Sequence, residues 1–199
     1  MDVLIWGGFL GVGKTSLLMD CAHYVVDLAP PGKTPLIIIE NEIGEVGIDD
    51  KVLQAEGLQV RELFAGCCCC QAGAALTATL NEIAAKIDPN RVIIETTGIA
   101  IPTNIVDLLL QYGKGYDSVK IVLIVDAERW LELHDMLPVM MERQISGAHK
   151  VIINKVDLVT DIELQKVIDD VQTLNGRAAL FPVSAKLGVP RPVWREVLS

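Results

Sequence analysis

The chain has 199 residues, 51% of them hydrophobic and 22% charged, enough for one full core and short for two. A formal net charge of -9 argues against broad nucleic-acid contact, which depends on Lys and Arg to neutralise phosphates. No uninterrupted apolar run approaches a membrane span, and the stretch 3–12 carries three glycines and no basic lead, unlike a signal peptide, so a cytoplasmic protein with no nucleic-acid or membrane partner is expected.

In chain order, short Val- and Ile-rich runs alternate with segments of helical periodicity. Strands are expected at 3–6, 35–40, 91–95, 119–126, 150–154 and 179–183, with a short one near 58–63. Helices are expected at 14–28, 72–87, 103–112, 128–145, 161–174 and 190–198. The strand runs do not alternate apolar with polar, as befits strands covered on both faces, and the pattern is that of an α/β fold with a mainly parallel sheet. No internal repeat or interdomain linker interrupts it, so residues 1–199 are read as a single domain.

The segment GGFLGVGKTSLL matches G-x-x-x-x-G-K-[ST] directly after the first strand and directly before the first helix, the context a phosphate-binding P-loop requires. Gly8, Gly11 and Gly13 let backbone N–H groups wrap phosphates, with Ser16 in the same cradle. Lys14 reaches the terminal phosphate oxygens, and the Thr15 hydroxyl is placed to ligate Mg²⁺. The fold class expected is therefore a three-layer P-loop NTPase.

Further on, INKVDL supplies Asn154, Lys155 and Asp157 at a strand end, where ligand sites of open α/β sheets collect. A carboxylate there can accept from both N1 and N2 of guanine; adenine, an acceptor at N1, cannot supply that pair. Ser184, Ala185 and Lys186 of VSAK follow one helix and one strand later and are placed to close over the base. Taken alone, the same residues would also serve to start a helix, with Asp157 near its cap.

With GGFLGVGKTSLL, ENEIGEVGIDD at 40–50, GCCCC at 66–70, ETTGIAIP at 95–102, VDA at 125–127 and NKVDL in this order, the chain resembles the GTPase domain of the CobW-type metal chaperones. That group of P-loop GTPases also contains the urease and hydrogenase nickel-insertion GTPases. The resemblance implies GTP binding, slow hydrolysis to GDP and phosphate, and handling of Zn²⁺ or another transition metal for a client metalloprotein. It assigns Glu95 to a Mg²⁺-bound water and the backbone at Gly98 to sensing the γ-phosphate, so that Lys14 and Glu95 are the catalytic candidates. Related GTPases complete their sites by pairing, which implies a nucleotide-dependent homodimer.

The family's C-x-C-C motif maps onto Cys67, Cys69 and Cys70, with Cys68 at the variable position. Thiolates suit Zn²⁺, and a helix starting near Gln71 would favour their ionised form. Since adjacent side chains diverge, two or three sulfurs coordinate more readily than four, and the resemblance offers Glu40 and Glu45 of the acid-rich loop as further ligands. The alternative is redox chemistry or packing, and Cys21, alone on the first helix, is expected to be a buried thiol. Typical members continue into a second domain, which this sequence is read as lacking, and Ile101 stands where they commonly carry an acidic residue.

Two rival functions differ in what they predict. A small-molecule kinase would move phosphate to an acceptor faster than to water, and a regulatory or storage protein with GTP as a structural ligand would show metal affinity indifferent to nucleotide.

Overall fold

A computed structural model describes residues 1–29, 34–40, 59–62 and 69–199, with backbone only at 59–62, 69–72 and 74. The expected mainly parallel sheet is parallel at every described pairing. Its seven described strands are β1 (Asp2–Gly7), β2 (Leu36–Glu40), β3 (Gln59–Glu62), β4 (Arg91–Glu95), β5 (Ser118–Asp126), β6 (Lys150–Asn154) and β7 (Ala179–Pro182), in spatial order β3-β2-β4-β1-β5-β6-β7. The described helices are α1 (Lys14–Asp27), α2 (Cys69–Lys86), α3 (Pro102–Tyr112), α4 (Trp130–Met136), α5 (Pro138–Ile145), α6 (Asp161–Leu174) and α7 (Arg191–Val197).

The apolar strand runs explain the layering. Side chains alternate across a strand, and here both sets are buried. Val3, Ile5, Ile37, Ile39, Val92, Ile94, Leu123 and Ile153 form one face and pack with Leu80 and Ile83 of α2, Leu109 of α3, Ile145 of α5 and Val171 of α6. Leu4, Trp6, Ile38, Ile93, Ile124 and Ile152 form the other and pack with Leu17, Leu18 and Cys21 of α1 and Trp194 of α7. Two half-cores back to back on one sheet make the three layers. Trp194 anchors the second: its ring centroid lies 6.3 Å from that of Trp6, and its indole N–H donates to Asp20 at 2.8 Å.

Two element boundaries correct the sequence reading. The single helix expected at 128–145 is two helices, α4 and α5, because Pro138 has no N–H to continue the ladder and its ring disfavours helical geometry at the preceding Leu137 (φ -133°, ψ 51°). Helix α2 begins at Cys69, ahead of Gln71, which puts the backbone of Cys69 and Cys70 inside its first turn. Helix α6 is capped by Thr160 and Glu163 in a reciprocal capping box, so Asp157 is not its cap and sits instead in the short 3₁₀ segment Val156–Leu158.

Cys21 is the buried thiol expected, with no exposed surface, and burial pushes its pKa up to about 12. A thiol held neutral and covered is unreactive. Of the five cysteines, Cys21 is expected to resist a thiol reagent in the native protein and to react after unfolding in denaturant, as read by peptide mapping. Rapid native labelling would contradict this packing.

Among the described residues, no helix is long and apolar enough to cross a membrane.

Candidate nucleotide site

The phosphate-loop residues, Glu95, and Asn154 with Lys155 and Asp157 gather at the carboxyl ends of the central strands, where β1, β4, β5 and β6 finish at Gly7, Glu95, Asp126 and Asn154. The loop from β1 to α1 owes its path to two glycines. At Gly8 (φ 142°) a Cβ would sit 2.3 Å from the Ile124 carbonyl oxygen of β5, and at Gly13 (φ 91°), the N-cap of α1, it would sit 2.5 Å from Asn154 Nδ2. Any other side chain would push the loop off the strands that seat it. Gly11 is the exposed turn between them.

Lys14 opens α1 with its ammonium donating to the Phe9 carbonyl at 3.3 Å, across the mouth of the loop. Amides at a helix N-terminus together with this cation can cradle an anion. Thr15 and Ser16 follow, both exposed, and the Thr15 hydroxyl donates to Glu95 Oε1 at 3.1 Å. Glu95 is buried at the end of β4, in register with Glu40, likewise buried, at the end of the adjacent β2. Two carboxylates covered side by side favour a cation nearby. The hydroxyl and carboxylate oxygens of Thr15 and Glu95 are the hard donors that Mg²⁺ takes, so the residues present fit that ion.

At the other end of the loop, Asn154 ties three segments together. Its Nδ2 donates to the Val12 carbonyl at 2.9 Å, and its Oδ1 accepts from the Ala185 N–H at 2.9 Å. Lys155, in left-handed backbone geometry (φ 65°), donates to the buried Asp126 at 2.6 Å, and turns the chain into the 3₁₀ segment Val156–Leu158 that carries Asp157. Asp157 Oδ1 accepts from the buried Ser184 hydroxyl at 2.5 Å. A cavity of about 410 Å³ lies among Gly13, Ser16, Asn154, Lys155, Asp157 and Ala185, edged by Leu158 and Lys186. Phosphate loop and acceptor carboxylate thus border one continuous space.

Gly98 packs on the P-loop from the β4 side: a Cβ there would meet Leu10 Cγ at 2.6 Å and the Leu10 backbone nitrogen at 2.7 Å. Thr96 holds the segment to β1, its N–H and its hydroxyl both donating to the Trp6 carbonyl at 3.0 and 3.3 Å.

A model of the CobW/HypB/UreG nucleotide-binding domain matches residues 2–182. The chain belongs to that family. Among curated relatives, this CobW/HypB/UreG domain is 32% identical over 155 residues to the zinc chaperone YeiR of Escherichia coli, covering 77% of this chain and 46% of that protein. It is 27% identical over 190 residues to the zinc chaperone YjiA of E. coli, covering 92% and 57%. The chain therefore spans about half the length of these relatives. Among solved structures, Zn(II)-bound YjiA GTPase from E. coli aligns with a TM-score of 0.64 at 24% identity, over 91% of this chain and 57% of that one. The hydrogenase maturation factor HypB of Archaeoglobus fulgidus aligns with a TM-score of 0.70 at 16% identity, over 100% and 88%. At such identities the structural likeness establishes a shared three-layer α/β fold.

Of the transition-metal ligands expected from the resemblance, Glu40 alone has a described side chain. Cys67 and Glu45 lie outside the described residues, as do the side chains of Cys69 and Cys70. Among the described residues no group of three or more His, Cys, Asp or Glu side chains is gathered as a metal site.

The geometry of the CobW/HypB/UreG domain also brings forward residues the motifs did not assign. Asp126 takes both the Lys155 ammonium and, at 3.0 Å, the Glu128 N–H. Its signal in the sequence is an acid closing an apolar strand, VKIVLIVD. Gln144 of α5 reaches the Gly98 segment, and nothing in the sequence pointed to it.

Proposed function

We propose that this domain binds Mg²⁺·GTP in the cavity between the P-loop and Asp157, hydrolyses it slowly to GDP and phosphate, and couples that cycle to holding and delivering a transition metal, zinc, to a client metalloprotein. The observation that carries the nucleotide half is the double hydrogen bond of Asn154, which joins Val12 of the P-loop to Ala185 and so fuses a phosphate cradle and a guanine-type acceptor pocket into one cavity. The metal half is supported by relatives named zinc chaperones and by the sequence GCCCC at 66–70.

In this mechanism the guanine ring lies at Asp157, with Lys155 held beside it by Asp126. The amides at the start of α1 and the Lys14 ammonium face the phosphates and stabilise the charge that develops as water displaces the terminal phosphoryl group in line. Thr15 directly, and Glu95 through a bound water, would hold Mg²⁺, which supplies charge neutralisation for the phosphates. Transfer of Lys14 from the Phe9 carbonyl to phosphate oxygens exchanges a neutral acceptor for an anionic one, a gain in hydrogen-bond strength on loading. A second copy of the chain docking over the nucleotide would cover Leu10 and Ile99, which are 54% and 68% exposed at the lip of the site.

The test is a competitive Zn²⁺ titration of the reduced protein without nucleotide, with GDP, and with a non-hydrolysable GTP analogue plus Mg²⁺. A shift of tenfold or more between states, about 1.4 kcal/mol of coupling, is expected. Equal zinc affinity in all three would leave a GTPase without metal coupling and overturn the delivery function.

A further inference from the structure

We propose that Gln144 is a positioning residue for the terminal-phosphate step: from α5 it fixes the backbone of Gly98 and its neighbours, the segment the site presents to that phosphate. The inference rests on the nucleotide function proposed above.

Gln144 is 2% exposed, and its Nε2 donates to the Gly98 carbonyl at 3.0 Å and the Ala100 carbonyl at 2.9 Å. Both hydrogens of one carboxamide are thus spent on two carbonyls of a single turn. Its helix neighbours Met141 and Ile145 pack into the core, and a third apolar residue at 144 would escape the cost of burying a carboxamide. The donors at this position serve the turn they hold.

The turn is gripped from both sides. On one side the Leu10 backbone lies so close that Gly98 has no room for a Cβ, and on the other stands Gln144. Thr96 on the Trp6 carbonyl and Ala100 N–H on the Thr97 carbonyl, at 3.1 Å, tie its two ends. Because a trans peptide is planar, a Gly98 carbonyl held toward α5 turns the Ile99 N–H to the opposite side. Orientation of this kind matters for catalysis, since preorganised backbone dipoles act without reorganisation at the moment of reaction. GDP has no γ-phosphate to meet them, so its binding should be blind to Gln144.

Two variants separate positioning from mere support. Gln144→Met keeps length and apolar volume and removes both donors; kcat for GTP hydrolysis is expected to fall at least tenfold while the GDP dissociation constant stays within twofold. Gln144→Glu sets a carboxylate against two carbonyls, and burial raises the pKa of such a group. Once protonated it can donate one hydrogen bond, so its kcat relative to wild type should climb as pH falls from 8 to 6, whereas the Gln144→Met ratio stays flat. Unchanged kcat in both variants overturns the inference, as does a parallel loss of GDP and GTP-analogue affinity with kcat retained. Where the Met variant fails to fold, the pH profile of the Glu variant decides, a flat profile counting against. A wild-type protein that neither binds GDP nor turns over GTP would instead remove the nucleotide function itself, and the inference with it.

Discussion

Asp157→Asn is expected to weaken GDP binding by about 100-fold or more and to turn the preference toward xanthosine diphosphate. The carboxylate can accept from the two donors on the Watson–Crick edge of guanine, and charge-assisted hydrogen bonds contribute ~1.5–3 kcal/mol each. Asparagine keeps the oxygen that receives the Ser184 hydroxyl at 2.5 Å, so the local turn survives. What changes is the second atom, from acceptor to donor, which opposes the 2-amino group of guanine and matches the 2-oxo group of xanthine. Calorimetry with the two diphosphates and ADP decides the matter. A variant that still prefers GDP over ADP by the wild-type margin would move the base away from Asp157.

Glu95→Gln is expected to lower kcat by about 100-fold, ~2.7 kcal/mol of transition-state stabilisation, and to raise the Mg²⁺ concentration needed for half-maximal rate by about tenfold. The amide can still accept from the Thr15 hydroxyl, which bonds the native carboxylate at 3.1 Å, so fold and loop geometry are retained while the charge is removed. GDP binding in excess chelator should be unchanged, because without the metal the carboxylate has nothing to add. Hydrolysis within twofold of wild type at every Mg²⁺ concentration would clear Glu95 of any part in holding the ion.

The layers of the fold were legible because their signal is strong and local. Runs such as LIIIE and IVLIVD are buried at every position, on both faces of the sheet, and the motif loops between them fall where strands must end. The break between α4 and α5 was also written in the sequence, at Pro138, but the helical periodicity running through 128–145 masked it. The start of α2 was off by a turn because Cys69 and Cys70 carry no helix-start signal of the Ser, Thr or Asp kind.

The site divides in the same way. Gly8, Gly13, Lys14, Thr15 and the Asn154–Lys155–Asp157 set were readable because each chemistry demands those residue types at fixed spacing. Asp126 stood in the motif VDA without a role, and Gln144 was not singled out at all, since the turn it holds lies 46 residues away in the chain. A glutamine on an amphipathic helix reads as a solvent-facing residue until the turn opposite it is known. The expected ligands Cys67 and Glu45 lie outside the described residues, so the structure leaves that part of the sequence reading as it stood.

The crowding at Gly8, Gly13 and Gly98 divides the site into a part closed to evolution and a part open to it. At the phosphate end main chain and neighbouring side chains stand so close that a methyl group has no place to go. At the base end the wall is made of replaceable side chains, with Asp157 and Lys186 on the surface. An engineer seeking a different nucleotide would therefore start at 157 and 186, where exposed side chains edge the cavity, and leave the crowded glycines alone.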